Sequence, residues 1–372
     1  MKVDLQSIDR TQFYVNEHII NGEMCYLVVP QLMGCNWTQE NKIFRSSLWN
    51  SEGELISASF PKFVNWGEKP EVFPVPNSLR GCVVMEKLDG STLIVSKYKG
   101  QFIVRTRGTV DAANMEKNGD EIAIFKSEIL PNIEEMYGQG TGEEWDCSFI
   151  FEWTSPKNQI VINYGDKPRF VLIGIVLHGN YHLQSQDYLN YVAESIGVER
   201  PATYTFTDVA DLISNVELWE GKEGVCVYSP FRGSWEIHKC KSFQYLKLHR
   251  FKSNATFENT VELFFEFDMP SYQEFEAKLI QKFDYECFQM VRGYISQICD
   301  GYKEVLKIVQ GMNDFVEKQL KQLPNRREQA FKVFSSYGKE SNRSAFVFKI
   351  LDGKHLLSKD DLKKLMYQVT KS

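Results

Sequence analysis

The sequence lacks the features that mark membrane, secreted and zinc-binding proteins. Its 372 residues contain no apolar run long enough to span a membrane, and the N-terminal segment MKVDLQSIDR contains no apolar signal core. Its eight cysteines include no CxxC pair, and its six histidines show no HExxH spacing. We therefore expect a cytoplasmic protein with reduced thiols and no membrane partner, zinc site or disulfide framework.

The P-loop of many nucleotide-binding proteins and the positive net charge of many nucleic-acid-binding proteins are also missing. The glycine-rich segment GQGTGEE at 138–144 lacks the GK[ST] ending of a P-loop, so we interpret it as a flexible loop. The sequence contains no phosphatase DxDxT motif and no kinase P-loop. Its formal net charge is −6, so any nucleic acid would have to bind in a local basic groove rather than through bulk charge.

The first two-thirds of the chain is rich in short β-forming runs. The length makes two domains the first expectation, and 43% hydrophobic residues suffice for burial. Helices are expected around 112–136 and 184–196, and Lys99-Gly100 predicts the turn of a hairpin. The predicted strands are 83–88, 92–98, 101–106, 148–153, 159–164, 169–177, 224–229 and 235–240. This pattern predicts an α+β domain with antiparallel sheets over residues 1–254.

Helical periodicity replaces the β-rich runs in the last third of the chain. Ser271 with Glu274 predicts a capping box, and Ser358 with Asp361 predicts the start of the last helix. The residues expected to interrupt the later helices are Pro324, Gly338 and Gly353. We expect residues 255–372 to form an all-α C-terminal domain.

A small set of charged residues carries the chemical signal. The motif KLDG at 87–90 is weak alone, because roughly 0.1 chance occurrences of KxDG are expected in a chain of this size. Glu152 follows inside a predicted strand, and Glu223 opens another. Lys239 and Lys241 are two apart on a strand, so both point to one face. Two ammonium groups there favour a bound anion such as polyphosphate, although a solvated strand edge is the alternative.

The order of these motifs resembles the covalent nucleotidyltransferase superfamily of ATP-dependent ligases and capping enzymes, over about residues 40 to 250. The closer resemblance is to the T-even bacteriophage RNA ligases that seal broken tRNA. Ser91 follows the motif's glycine, where DNA ligases and capping enzymes usually carry an arginine shortly after it. Further segments similar to those RNA ligases are Phe44-Arg45-Ser46, Phe60 to Asn65, Arg105 to Thr109, Phe151 to Val161, and Lys239 to Ser242 with Leu248-His249.

Three positions depart from the pattern of that family. Ser46 replaces the usual glycine after Arg45, Pro61 directly precedes Lys62, and Arg107 replaces a lysine. These departures affect individual residues at the nucleotide phosphates rather than the resemblance itself.

The resemblance implies an N-terminal nucleotidyltransferase domain, the ATP-grasp-like adenylylation domain of ligases. It implies an ATP-dependent RNA ligase: a lysine attacks ATP, AMP passes to an RNA 5′-phosphate, and an RNA 3′-hydroxyl displaces AMP. ATP is then a substrate, Mg²⁺ or Mn²⁺ a cofactor, and RNA with 5′-phosphate and 3′-hydroxyl ends, such as cleaved tRNA, the partner. A separate kinase and phosphatase would prepare the ends, and a monomer in the cytoplasm (the host's if phage-encoded) is expected.

The resemblance also implies roles for individual residues. The catalytic set is Lys87 as nucleophile with Glu152, Glu223, Lys239 and Lys241. The nucleotide-binding set is Arg45, Lys62, Glu86, Asp89, Gly90, Arg107, Glu152, Lys239 and Lys241. The metal set is Glu223, which we prefer, and Glu152.

Each of these side chains has an expected partner. Lys239 and Lys241 would bind the α-phosphate, and Arg45 and Lys62 the β- and γ-phosphates. Glu86 would recognise the adenine amine, whereas Glu152 would hold the ribose hydroxyls or a metal. The remaining members are Asp89 and Gly90, which would shape the turn at Lys87, and Arg107, which would contact the ribose or an RNA 5′-phosphate or serve a structural role.

The first step requires a neutral amine, and the ordinary pKa of lysine leaves only about 0.04% of it neutral at pH 7. We expect Lys239, Lys241 and a bound Mg²⁺ to lower the pKa of Lys87.

Two other functions stay open. A DNA ligase or a capping-type guanylyltransferase would use the same lysine chemistry, and the nucleotide that labels the protein separates a guanylyltransferase from an ATP-dependent ligase. A catalytically inactive RNA-binding module would bind RNA and form no adduct. The helical domain is a candidate RNA-specificity module.

Overall fold

The computed structural model of the chain describes residues 1–31, 35–114, 119–138, 145–282, 285–339, 342–353 and 357–370. The chain divides into two compact units, Met1–Leu246 and Lys247–Ser372. The cysteines whose side chains the structure describes are free thiols. Among the described residues, no helix is both long and apolar enough to cross a membrane. Most of the predicted glycine-rich loop, 139–144, lies outside the described residues.

The first unit is built on three β-sheets. The strands are β1 (Phe13–Ile20), β2 (Glu23–Pro30), β3 (Ser47–Asn50), β4 (Leu55–Ala58), β5 (Val64–Asn65), β6 (Val83–Lys87), β7 (Ser91–Tyr98), β8 (Gln101–Arg105), β9 (Cys147–Thr154), β10 (Arg169–Leu177), β11 (Thr203–Tyr204), β12 (Gly224–Phe231) and β13 (Ser234–Lys241). The first sheet has the order β1-β2-β3-β4, the second β10-β9-β7-β8, and the third β11-β6-β12-β13-β5.

The strand pairings confirm the predicted α+β class with antiparallel sheets. The described pairs are antiparallel except β13 with β5, which run parallel over two residue pairs. The predicted hairpin of β7 and β8 is also confirmed. Its turn residues Lys99 and Gly100 have φ values of 47° and 76°, the left-handed conformation that a tight two-residue hairpin turn uses.

Helices cover part of the second sheet. They are α1 (Gly119–Ile124), a π-helical turn (Phe125–Ile129), α2 (Leu130–Gly138), α3 (Gln186–Ile196) and, elsewhere in the unit, α4 (Val209–Glu217), with 3₁₀ turns at Asn41–Arg45 and Ala112–Asn114. Apolar residues of α1, α2 and α3 share one buried cluster with the inner faces of β7, β9 and β10. This packing fixes β7 and β9, the two strands that carry Ser91 and Glu152.

The predicted strand at 159–164 is wrong, since this segment has an irregular backbone. The backbone N–H groups of Val161 and Ile162 donate to Oδ2 of Asp89 at 2.7 and 2.9 Å. A strand would need these groups for a neighbouring strand. The carboxylate therefore replaces a sheet partner, and its attraction for N–H groups outweighs the β propensity of QIVINY.

The regular elements described from Phe243 onward are helices. They are α5 (Phe243–Ser253), α6 (Phe257–Glu266), α7 (Tyr272–Lys282), α8 (Tyr285–Phe315), a π-helical turn (Val316–Leu320), α9 (Arg326–Tyr337), α10 (Asn342–Leu351) and α11 (Lys359–Thr370). The predicted capping box is confirmed, because Ser271 and Glu274 exchange hydrogen bonds. The N–H of Asp361 likewise donates to Oγ of Ser358 at 3.2 Å. Apolar side chains of α6 to α11 form the core of the second unit.

Candidate active site

Strand register brings Lys87 and Lys241 to opposite sides of one glycine. Lys87 ends β6 and Lys241 ends β13, and both are paired with Gly224 on the central strand β12. Gly224 has a φ of 146°, and a Cβ there would lie 2.0 Å from the carbonyl oxygen of Cys240. Gly224 therefore permits the close approach of β12 and β13 here, directly after Glu223.

Glu223 is a buried bridge between these lysines. Its Oε2 lies 2.8 Å from Nζ of Lys87, and its Oε1 lies 2.8 Å from Nζ of Lys241. Only 2% of its surface is exposed. The anion that compensates Lys241 in this structure is therefore a carboxylate of the protein itself.

The ion pair changes the expectation for the nucleophile. Burial works against the charged amine of Lys87, but attraction to Glu223, and more weakly to Cys226 and Glu152, outweighs it. The pKa of Lys87 is raised rather than lowered, so the expected lowering by neighbouring lysines is wrong for the nucleotide-free protein.

Leu88, Asp89 and Gly90 carry the chain from the third sheet to the second. The N–H of Gly90 donates to Oε1 of Glu152 on β9 at 3.0 Å. A Cβ on Gly90 would lie 2.4 Å from the carbonyl oxygen of Trp153, so a larger residue cannot make this approach without a shift of the backbone. The predicted role of Gly90 in shaping the turn thus has a steric basis, and the turn brings Glu152 beside Lys87.

Asp89 stabilises this turn through hydrogen bonds to residues outside it. It is 2% exposed, and its Oδ1 accepts a hydrogen bond from the hydroxyl of Tyr245 at 2.8 Å. Its Oδ2 accepts the two N–H groups at Val161 and Ile162. Its own N–H donates to the hydroxyl of Tyr164 at 2.9 Å. Its carboxylate is therefore committed to the protein and is not among the groups that line the cavity described below.

Phe63 supports two of the predicted phosphate-binding cations. The guanidinium of Arg45 lies 4.4 Å from the centre of its ring, and Nζ of Lys239 lies 5.6 Å from it. Burial lowers the pKa of Lys239 to about 8, with further lowering by Lys241 and by Lys62. Among the described residues, neither Arg45 nor Lys239 forms an ion pair with a carboxylate. Positive charge is therefore concentrated here, which is the electrostatic condition for binding an anion.

Lys62 and Arg107 complete the cationic side of the site. Nζ of Lys62 lies 5.4 Å from the ring centre of Trp37, and burial together with Arg45 lowers its pKa. Arg107 is exposed and follows β8. It acts on Arg45 as a like charge: burial first and Arg107 second lower the pKa of Arg45 to about 10.

Glu86 directly precedes Lys87 on β6. Its Oε2 accepts a hydrogen bond from the hydroxyl of Tyr204 at 2.9 Å and lies 3.7 Å from Nζ of Lys222. Tyr204 and Lys222 therefore fix the orientation of this carboxylate.

Some of these residues line a cavity of about 460 Å³, within the range of small-molecule sites. The predicted residues that line it are Arg45, Glu86, Lys87, Gly90, Arg107 and Glu152, together with apolar side chains that include Phe60, Phe63, Met85, Ile173 and Ile237. The predicted residues outside this lining are Lys62, Asp89, Glu223, Lys239 and Lys241. Of these, Glu223 contacts Lys87, and Lys239 contacts Phe63.

Glu152 differs from Glu223 in its capacity for a ligand. Both oxygens of Glu223 already contact lysines, whereas within the described residues only Oε1 of Glu152 accepts a hydrogen bond. The described residues contain no group of three or more His, Cys, Asp or Glu side chains that could form a closed metal site. A divalent cation would therefore fit here with one protein carboxylate, phosphate oxygens and water, the pattern of Mg²⁺ sites, and the geometry favours Glu152 over the preferred Glu223.

The surroundings of Glu152 raise the pKa of its carboxyl group. Burial raises its pKa to about 7, with a further increase from Glu223, against the lowering effects of Lys87 and of the N–H of Gly90. The pKa of Glu152 is higher in the folded state than its ordinary value of 4.5. The folded protein therefore loses stability as pH rises from about 4.5 to 7, and the loss is complete above pH 7.

We expect Glu152→Gln to stabilise the nucleotide-free protein at pH 8 by roughly 3 kcal/mol, because it removes a buried charge and keeps an acceptor for Gly90. At about pH 4 the gain should nearly vanish, since Glu152 is then mostly protonated in both the folded and the unfolded wild type. Denaturant unfolding at the two pH values measures the difference. An equal effect at both pH values would show that Glu152 is not protonated in this range.

Sequence reasoning gave no role to several residues that support the site. They are Phe63, Tyr164, Tyr204 and Tyr245, each of which contacts a predicted site residue. Phe63 lies within a segment already noted for its family resemblance, and Tyr245 lies between Ser242 and Leu248 of another, so position was an available signal. The buried pair of Lys42 and Glu236 outside the cavity lining, whose charged atoms lie 2.8 Å apart, spans 194 positions and has no local signal.

The chain is similar in sequence to known RNA ligases. A family model described as RNA ligase matches residues 43–252, more than half of the chain. An RNA ligase of Rhodothermus phage RM378 is 27% identical over 274 residues, covering 58% of this chain and 61% of that protein. A protein of Autographa californica nuclear polyhedrosis virus, provisionally named a bifunctional polynucleotide kinase/RNA ligase, is 27% identical over 224 residues, covering 56% and 30%.

Among solved structures, an archaeal ATP-dependent RNA ligase matches with a TM-score of 0.48 and 12% identity, covering 77% of this chain and 76% of that one. The chain spans less than two-thirds of the length of the phage RNA ligase and of the viral protein described above.

Proposed function

The chain belongs to the RNA ligase family, and from this premise we propose that it is an ATP-dependent RNA ligase. It joins RNA 5′-phosphate and 3′-hydroxyl ends through a lysine–AMP intermediate on Lys87. The observation that carries this proposal is the position of Lys87, whose amine lies in the wall of a cavity between two carboxylates and a group of under-compensated cations.

In the first step, Nζ of Lys87 forms a bond to the α-phosphorus of ATP, and the bond from that phosphorus to the bridging oxygen of pyrophosphate breaks. The triphosphate would lie along Arg45, Lys62 and Arg107, with Lys239 and Lys241 toward the α-phosphate. A bound Mg²⁺ or Mn²⁺ would add positive charge at the phosphates and favour the neutral amine. Glu152 is our candidate to hold that ion or the ribose hydroxyls, and Glu86 our candidate for the adenine amine.

Glu223 opposes this step in the free protein, because its ion pair keeps the proton on Lys87. When Lys241 turns toward the α-phosphate, its ion pair with Glu223 breaks. The carboxylate of Glu223 then attracts the ammonium group of Lys87 alone. The Lys87 side chain is 20% exposed, so its ammonium group can release a proton to water. This release requires that added cationic charge outweighs Glu223. We propose Glu223 as the group that holds Lys87 in position until nucleotide arrives.

The remaining steps follow from the same site. AMP passes from Lys87 to the oxygen of an RNA 5′-phosphate, which restores the free lysine. The RNA 3′-hydroxyl then attacks that 5′-phosphate, forms the new phosphodiester, and AMP leaves. Cations that bound the triphosphate can hold the RNA phosphate in these steps.

The second part of the chain is proposed to act on RNA choice. We assign residues 255–372 to a separate all-α domain after an adenylyltransferase domain of residues 1–254. The RNA would be a cleaved tRNA or another broken single strand whose ends a separate kinase and phosphatase prepare. We further propose that the protein works as a monomer in the cytoplasm, that of the host if a phage encodes it.

One labelling experiment tests the proposed activity. The protein is incubated with Mg²⁺ and either ATP or GTP labelled at the α-phosphate, and then separately with a nicked tRNA, a nicked DNA duplex and a linear RNA single strand. Label from ATP on the protein, followed by sealing of RNA, is the expected result. Label from GTP would favour a guanylyltransferase, sealing of DNA nicks alone a DNA ligase, and RNA binding without label an inactive RNA-binding module.

A further inference from the structure

Arg105 is a fully buried arginine whose charge has no carboxylate partner among the described residues. It ends β8, and all five of its N–H groups donate hydrogen bonds. Nε donates to Oγ of Ser57 at 2.8 Å, and Nη1 to Oγ of Ser46 at 2.7 Å and the carbonyl of Thr106 at 3.1 Å. Nη2 donates to the carbonyls of Ser46 and Ser57 at 3.2 and 3.1 Å. The guanidinium is thus a cross-link between β8 and the first sheet.

Ser46 continues this link to the backbone of Arg107. Its hydroxyl accepts from Arg105 and donates to the carbonyl oxygen of Arg107 at 2.8 Å. Ser46 is fully buried and directly follows Arg45. One hydroxyl therefore joins the segment that carries Arg45 to the segment that carries Arg107.

The positive charges of Arg45 and Arg107 repel each other. Arg45 and Arg107 line the same cavity, and each carries a positive charge. Their repulsion contributes to the lowered pKa of Arg45. An anion between them would offset this repulsion, but before it binds the protein itself must hold the two cations in place.

We propose that Arg105 and Ser46 are positioning residues that hold Arg45 and Arg107 at a fixed separation, ready for a phosphate chain between them. This inference rests on the proposed function, in which those two arginines face the phosphates of ATP. At the position of Ser46 the family pattern has glycine, which has no hydroxyl. The hydrogen-bonded link from Arg105 through Ser46 to Arg107 is therefore a feature of this chain and not of the family pattern. Preorganised cations bind an anion without the cost of being gathered first.

Ser46→Ala removes the hydroxyl and leaves both arginines. Ser344→Ala is the matched control, because Ser344 is also a buried serine whose hydroxyl donates to a backbone carbonyl, that of Gly338, and it has no contact with the Arg105 network among the described residues. Binding of inorganic tripolyphosphate is measured by calorimetry, and KM for ATP and kcat are measured from adduct formation. We expect Ser46→Ala to weaken tripolyphosphate binding and raise KM roughly tenfold with kcat little changed, and Ser344→Ala to change both by less than about twofold.

The binding measurement decides this inference separately from the proposed function. If Ser46→Ala binds tripolyphosphate as tightly as the wild type, if both variants weaken it equally, or if the wild type does not bind it, the inference is wrong. Wild-type binding without any adduct from ATP would contradict the ligase proposal alone. Should Ser46→Ala not fold, Ser46→Gly repeats the test with the residue of the family pattern and the same expected loss.

Discussion

Lys87→Ala should abolish transfer of label from ATP to the protein. The rival nucleophile is Lys239, whose pKa of about 8 leaves roughly half of its amine neutral at pH 8, whereas the raised pKa of Lys87 leaves very little. Geometry favours Lys87, because it lines the cavity beside Glu152 while Lys239 lies over the ring of Phe63. Proximity can outweigh a difference of a few pKa units, since a well-oriented group can gain about 7–11 kcal/mol.

The variant has a second expected property. Lys87→Ala should still seal an RNA whose 5′ end is already adenylylated, since that substrate bypasses the lysine adduct. Lys97→Ala is a suitable control, because Lys97 is a partly buried lysine of β7 that pairs with Glu134 outside the cavity. Mass spectrometry of the labelled wild type identifies the modified residue. A label on Lys239, or an adduct that survives in Lys87→Ala, would show that the nucleophile is assigned wrongly.

The order of motifs in the sequence predicted the chemical groups of this site but not their contacts. Lys87 and Glu223 are 136 positions apart and meet because β6 and β13 both pair with β12 at Gly224. Register over such separations depends on how three strands pair, which no local pattern encodes. The raised pKa of Lys87 follows from this register, so it could not be anticipated from the like charges at Lys239 and Lys241.

The fold was predictable where signals were local. The hairpin at Lys99-Gly100 and the caps at Ser271 and Ser358 follow from residues within one turn. The hairpin of β1 and β2 had such a signal too, since Asn21-Gly22 forms its turn with φ values of 50° and 78°, yet it was not predicted. The segment 159–164 failed for a different reason, because its N–H groups bind a carboxylate far away in sequence.

Glu223→Gln should destabilise the protein more than any other isosteric change at the site. One buried carboxylate contacts the ammonium groups of both Lys87 and Lys241, and a neutral amide would leave these two positive charges together without an anion. Breaking a buried ion pair costs about 3–5 kcal/mol. Because the folded pKa of Lys87 is raised, this contribution is present below the ordinary lysine pKa and is lost only as pH rises through the folded pKa. The deficit should therefore be constant from about pH 8 to 9, above the titration of Glu152, and shrink above about pH 10.

Glu236→Gln is the matched control for Glu223→Gln. Glu236 is also a buried glutamate 2.8 Å from a lysine, Lys42, but it compensates only one ammonium group. We expect denaturant unfolding to show a smaller loss for Glu236→Gln, and Lys241→Met to restore part of the stability of Glu223→Gln by removing one unpaired charge. The midpoint of the pH dependence of adduct formation should move to lower pH in Glu223→Gln only, because the attraction that raises the pKa of Lys87 is gone. An unmoved midpoint with equal losses in both variants would contradict the bridging role of Glu223.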